Sequence, residues 1–195
     1  MKIPSFKFPE KFESLKGIIL FFVILTVANI FWKYNVLGDE STGPDSMVTF
    51  WGLDISAPFN WMTLHVAKAT FAVLHFLGST VTMEHGNKLY YSNGNAVLII
   101  WACTGIKQAY ICFCILAFSR GPWSKKIWYI PLSLLVVYLF NIFRIAIIAA
   151  SVENHNDWFD FLHLYFFKYI FYGVIFLMWV FWEEKIVISP KKLIQ

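Results

Sequence analysis

Charge is what this 195-residue chain has least of: Asp, Glu, Lys and Arg together make up 14% of it, where a soluble domain carries about 25%. That scarcity excludes a disordered tail, which needs high charge and little hydrophobicity. Cysteine is scarcer still, with three residues at 103, 112 and 114. An odd number without paired ligand spacing makes neither a disulfide framework nor a zinc site, and no metal or other cofactor is expected. The chain also lacks H-E-x-x-H and G-x-S-x-G, the signatures of zinc peptidases and serine hydrolases. Glu183-Glu184 does not open an E-x-x-x-R pattern. No internal repeat or low-complexity tract divides the chain, which reads as one membrane-embedded domain over 1–195.

What is abundant is apolar. Hydrophobic residues make up 58% of the sequence and aromatics 20%, with 21 Phe, 9 Trp and a mean hydropathy of +0.60. A core of this size cannot bury that much, so the remaining surface faces lipid. The same numbers exclude a water-soluble enzyme and a nucleic-acid binder. A net charge of +4 implies no anionic partner, because cytoplasmic loops of membrane proteins collect Lys and Arg.

A spanning helix needs about 17–25 apolar residues. Four runs qualify, at 17–32, 96–118, 127–150 and 161–182, and helix is the expected state because an open strand edge cannot sit in hydrocarbon. The lead-in 1–16 carries four Lys, and no A-x-A-like cleavage site follows the first run, so an uncleaved anchor is expected. Basic clusters lie in the lead-in, at Arg120, Lys125 and Lys126, and at Lys185, Lys191 and Lys192. Acidic residues gather at Asp39, Glu40 and Asp45 and at Glu153, Asp157 and Asp160. Placing the basic clusters inside predicts four full spans with both termini in the cytoplasm. Trp32, Trp101, Trp123, Trp128, Trp158, Trp179 and Trp182 then fall near span ends, as an aromatic belt.

The stretch 58–78 is long enough to span but carries His65, Lys68 and His75, which fall within an arc of about 80° on a helix. A simple fifth span would invert everything after it. It is read as an amphipathic or re-entrant helix in the outer leaflet, against the alternative of a tilted span with buried His. The following stretch 79–101 alternates β-branched and aromatic runs with turn residues. Asn93-Gly94 is a strong hairpin signal and His85-Gly86-Asn87 a second turn, so a small three-stranded meander is expected on the outer face.

Polar side chains inside membrane segments point to function by default. They are Cys103, Lys107 and Gln108 in the second run, Asn141 and Arg144 in the third, and His163 and Lys168 in the fourth. Arg144 precedes Ala150 by six residues, so it lies about 9 Å below that end at 1.5 Å per residue, and His163 is at comparable depth on the neighbouring run. Cys103, Arg144 and His163 therefore converge in the outer half of the membrane. A thiol at a helix start near a guanidinium is a usable nucleophile. Arg144 can hold a thiolate or an oxyanion, His163 can carry a proton near neutral pH, and Asn141 shares Arg144's face one turn away. Cys112 and Cys114 read as packing, Lys107 and Lys168 as able to snorkel, and His155 as solvated. A haem or quinone protein using His65 and His75 is a weaker alternative, because ten residues of one helix separate them too far to clamp one iron.

Ala102-Cys103-Thr104-Gly105 resembles the A-C-[ST]-G signature of the exosortase/archaeosortase family. Asn141-Ile-Phe-Arg144 resembles its N-x-x-R motif, and Phe161-Leu162-His163 its third motif. The resemblance covers residues 79–182; residues 1–78 match only as generic membrane sequence. Many members carry Asp after the His, where this chain has Leu164, and many have more spans. Lys107-Gln108 looks like a subgroup feature. The resemblance implies a membrane-embedded cysteine transpeptidase with Cys103, Arg144 and His163 as catalytic residues. Asn141, Thr104, Gly105, Lys107 and Gln108 would support them or bind substrate. Its partners would be exported proteins ending in a short motif, a membrane helix and a basic end, together with a surface or lipid-linked acceptor and the lipid bilayer. The competing reading is a non-catalytic membrane assembly or transport subunit, in which Arg144 pairs with a partner's acidic group.

Overall fold

A computed structural model describes residues 13–39, 46–154 and 159–188. Lys2, Lys7, Lys11, Glu40, Asp45, His155, Asp157, Trp158, Lys191 and Lys192 lie outside the described residues. Among the described residues the fold has five α-helices and two small antiparallel sheets: α1 is Glu13–Asn35, α2 Ser56–Phe76, α3 Ile106–Phe118, α4 Trp123–Asn154 and α5 Phe167–Phe181. A π-helical turn, Phe161–Phe166, leads into α5, and a second, Trp182–Ile188, continues it. Among the described residues three helical stretches are long and apolar enough to cross a bilayer: Leu15–Asn35, Trp123–Glu153 and Phe161–Ile188. They pack with α3 around a core that includes Phe21, Ile111, Ile115, Val137, Phe171, Ile175 and Trp182.

The apolar run 96–118 is not one helix, which corrects the sequence reading. It divides into strand Ala96–Leu98, a 3₁₀ turn Trp101–Cys103, and α3. The 13 residues of α3 extend only about 20 Å, against about 30 Å of hydrocarbon. Two local causes account for the division. Val97, Ile99 and Ile100 are β-branched and favour extended pairing. Gly105 then sits at φ +79°, a left-handed residue through which a right-handed helix cannot run back.

The first sheet, β1 Val36–Gly38, β2 Val48–Phe50 and β3 Leu53–Asp54, was not foreseen. Its strands are two or three residues long, too short to show alternation. The Trp51-Gly52 turn does leave a mark, since both residues have positive φ as a tight hairpin turn requires. The second sheet is the meander β4 Thr82–Glu84, β5 Lys88–Tyr90 and β6 Ala96–Leu98. His85, Gly86 and Gly94 supply its positive-φ turn positions.

This meander is fastened to the end of α4. The Tyr91 hydroxyl donates to the Ala149 carbonyl at 2.7 Å, and the side-chain amides of Asn95 and Asn93 donate to the Val152 and Glu153 carbonyls at 2.9 and 2.6 Å. Ser79 donates to the Glu153 carboxylate at 2.8 Å. A helix leaves its last four carbonyls without intrahelical partners, and here Asn95 and Asn93 supply partners to two of them, Val152 and Glu153. Beneath, Leu89, Tyr91, Val97 and Ile99 pack on Ile145, Ala149 and Val152.

α2 lies against α4 with Phe59, Thr63, Val66, Ala67, Thr70 and Leu74 buried. His65, Lys68 and His75 are exposed, and His65 reaches α4, where its Nε2 shares a 2.7 Å hydrogen bond with the Tyr138 hydroxyl. Asp54 accepts from the backbone N–H and hydroxyl of Ser56 at the start of α2, and these bonds hold its carboxyl below the usual carboxylate pKa. At the far end of the bundle, Arg120 pairs with the buried Glu183. Lys126 donates to the Ala117 and Ser119 carbonyls at 2.7 and 2.6 Å, closing the end of α3.

Candidate functional site

Strand β6 runs directly into the 3₁₀ turn that carries Cys103, so the meander and α3 together determine where the thiol lies. The turn is closed by Cys103 N–H donating to the Ile100 carbonyl at 2.9 Å and Thr104 N–H to the Trp101 carbonyl at 3.1 Å. The buried Thr104 hydroxyl bonds the same Trp101 carbonyl at 2.6 Å. From α4, the Asn141 amide donates to the Cys103 carbonyl at 2.9 Å. Gly105 faces this Asn: a Cβ there would stand 2.8 Å from Asn141 Cγ, so only glycine fits, by space as well as by φ. The turn is thus held from within by Thr104 and from α4 by Asn141.

Cys103, Arg144 and His163 line one cavity of about 110 Å³, walled by Val97, Ile99, Ile145, Ile148 and Phe159. Cys103 is half-buried and lies close enough to Arg144 for the two to interact electrostatically. Arg144 is buried, 8% exposed, and its Nε has no hydrogen-bond partner among the described residues. A buried guanidinium N–H left without an acceptor is costly, and a developing oxyanion is the kind of group that would satisfy it. His163 sits in the π-helical turn before α5. Its ring stacks on Phe159 at 5.3 Å between centroids and 15° between planes. Phe159 was not singled out from the sequence, where it is one of 21 Phe. Apolar walls around a cation and an imidazole exclude water and strengthen every charge interaction inside.

Not every candidate joins this cavity. Lys107 lines a different one, on the other side of the thiol turn. Gln108 is half-buried, and its Oε1 has no hydrogen-bond partner among the described residues; the same holds for Asn141 Oδ1. Cys112 and Cys114 are buried in the helical core, and Lys168 is exposed. Among the described residues no three His, Cys, Asp or Glu side chains group as a metal site.

Comparison with known proteins bears on this arrangement. No curated protein and no solved structure matches the chain. The profile of the transmembrane exosortase (EpsH) family matches residues 46–182, which is more than half of the sequence. The match extends the motif resemblance toward the N-terminus, taking in β2, β3 and α2, which had read as generic membrane sequence. With three motif-bearing segments meeting at one cavity inside the matched region, the chain belongs to the transmembrane exosortase family.

Proposed function

We propose that the chain is a cysteine transpeptidase that cleaves C-terminal sorting signals of exported proteins at the outer membrane–water interface, through a thioester on Cys103. Family membership supports the coarser statement of a membrane-embedded sorting transpeptidase acting on exported proteins. The observation that carries the finer reading is the shared cavity of Cys103, Arg144 and His163.

The steps balance with these three groups. Cys103 as thiolate attacks the scissile carbonyl, and Arg144 stabilises the oxyanion. His163, protonated, gives its proton to the leaving amine as the C–N bond breaks, leaving a thioester. The acceptor nucleophile then gives a proton to His163 and attacks that thioester, restoring the thiolate. Water in place of the acceptor would make the reaction a hydrolysis. Asn141, Thr104 and Gly105 position the thiol turn, while Lys107 and Gln108 belong to the substrate-binding surroundings. Family membership suggests the bacterial inner membrane, and the distribution of Lys and Arg supports both termini inside with the meander and cavity outside; the fourth crossing is then made by the thiol turn, α3 and the 119–122 link together, since Trp101 lies beside Trp32 at one end of α1 and Arg120 beside Gly17 at the other.

The test is a trapping experiment on the purified protein with a tail-bearing substrate. A substrate fragment linked to Cys103 as a thioester, and its loss in Cys103→Ala, is the expected result. Undiminished processing by Cys103→Ala would sink the proposal in favour of a non-catalytic assembly role.

A further inference from the structure

The meander has an open edge beside the thiol. Ile99 N–H donates to the Asn87 carbonyl at 2.9 Å, and the Asn87 side-chain amide returns a 2.9 Å bond to the Ile99 carbonyl. Bonded pairs recur every second residue of an antiparallel ladder, so Leu89 and Val97 form the next one. Ala96, Leu98 and Ile100 therefore turn their backbone groups away from β5. Among the described residues no strand pairs with that side of β6. Cys103 N–H takes the Ile100 carbonyl, and Ile100 is still extended, so the edge runs on to the start of the thiol turn.

This edge opens into the catalytic cavity. Val97, Leu98, Ile99 and Ile100 all line the space that holds Cys103. A strand face presents only alternate residues, so a cavity touching four in succession lies along the strand's edge. Native proteins commonly blunt an open edge with charge or proline. Residues 96–100 are Ala-Val-Leu-Ile-Ile and carry neither, whereas the sheet's other outer strand, β4, ends on Glu84.

We propose that the free edge of β6 binds the sorting signal as an added β-strand, with the segment before the scissile bond hydrogen-bonded to the backbone around Leu98. This rests on the role proposed for Cys103. Topology gives the direction. β6 leads through the thiol turn and α3 from Trp101, beside Trp32 near the end of α1, to Arg120, beside Gly17 near its start. That path runs from outside to inside, and a tail ending in a membrane helix runs the same way, so the added strand is parallel to β6. Main-chain bonds supply affinity whatever the side chains, while Ile145, Ile148 and Phe159 in the cavity wall favour apolar residues next to the bond.

The test uses the full chain purified in detergent and two electrophiles, with alkylation of Cys103 followed by mass spectrometry. Acetyl-tetraalanine chloromethyl ketone offers main-chain amides and little else; chloroacetone offers none. A backbone hydrogen bond is worth a factor of about five, so the two outward groups of Leu98 predict alkylation about 25-fold faster by the peptide. A single N-methyl group moved along the peptide should slow it about fivefold at one alanine and little at the next, because alternate residues of an added strand aim their amides at β6. Leu98→Pro removes an outward N–H and no ladder bond, and should cut the peptide's advantage about fivefold or more. Equal rates for the two reagents would overturn the added strand while leaving Cys103 a nucleophile. An N-methyl effect that does not alternate, or an undiminished advantage in Leu98→Pro, would overturn it as well. Failure of both reagents to alkylate Cys103 would overturn the role of the thiol and the strand with it.

Discussion

Gly105 and Gly52 share a backbone angle, φ +79° in each, but not a neighbourhood: a Cβ on Gly52 meets nothing within 4 Å, whereas on Gly105 it meets Asn141. Gly52→Ala should therefore cost only the left-handed strain, about 1–2 kcal/mol. Gly105→Ala should cost more and also lower processing, because Asn141 must move and with it the Cys103 carbonyl. Thermal unfolding of the two variants side by side checks the difference. At the proposed catalytic residues, Arg144→Lys should lower turnover about 100-fold, since an ammonium cannot copy a guanidinium's forked donors to an oxyanion. Cys112→Ala and Cys114→Ala should process substrate nearly normally. Cys103, Arg144 and His163, which line one cavity, could be picked out as candidates because charge and thiol stand out against an apolar background. Phe159 was not, because one more Phe among 21 carries no contrast.

Among the elements, the joint between the meander and α4 is the most exposed to test. The Tyr91 hydroxyl bond to Ala149 should be worth about 1 kcal/mol, lost in Tyr91→Phe and read as a lower unfolding midpoint. Burial, with the nearby Glu153 carboxylate adding to it, pushes the Tyr91 hydroxyl up to about 12. A folded-state value above the unfolded one, near 10, means the native protein holds this proton longer. Its contribution is therefore complete below pH 10 and is lost as the pH rises toward 12. Alkaline stability profiles should show that loss in the unmodified protein and less of it in Tyr91→Phe. The hairpin at Asn93-Gly94 could be read from two residues because its turn chemistry is local. The division of 96–118 was read only in part: the meander expected over 79–101 takes in β6, but the apolar run was also read as one span, and the choice was made by pairing with Lys88–Tyr90.

Across the whole molecule, one ion pair closes the end opposite the cavity. Arg120 is 32% exposed and Glu183 6%, so the two partners are not equivalent. Removing Arg120 strands a buried carboxylate and should cost about 3 kcal/mol or more. Removing Glu183 leaves a guanidinium that can reach water and should cost less. Chemical or thermal denaturation of Arg120→Ala and Glu183→Gln checks the order. Topology has its own measurement: a cysteine at Ser92 should react with a membrane-impermeant thiol reagent from outside and one at Ser124 should not. Labelling of Ser124→Cys from outside would invert the orientation.

Composition and Lys/Arg placement were enough to settle that lipid is the solvent, because transfer free energy sums over residues whatever their arrangement. The motif residues, and the expectation that Cys103, Arg144 and His163 share one depth, also followed from spacing along helices of known rise. Only the tertiary structure decided that the thiol turn lies between two cavities, that Lys107 faces the second of them, and that α3 is too short to cross hydrocarbon alone. Those outcomes depend on which β-branched residues find strand partners and on Asn141 of α4 meeting Gly105 across 36 positions of chain. Such contacts are non-local, and no window of sequence contains both sides of them.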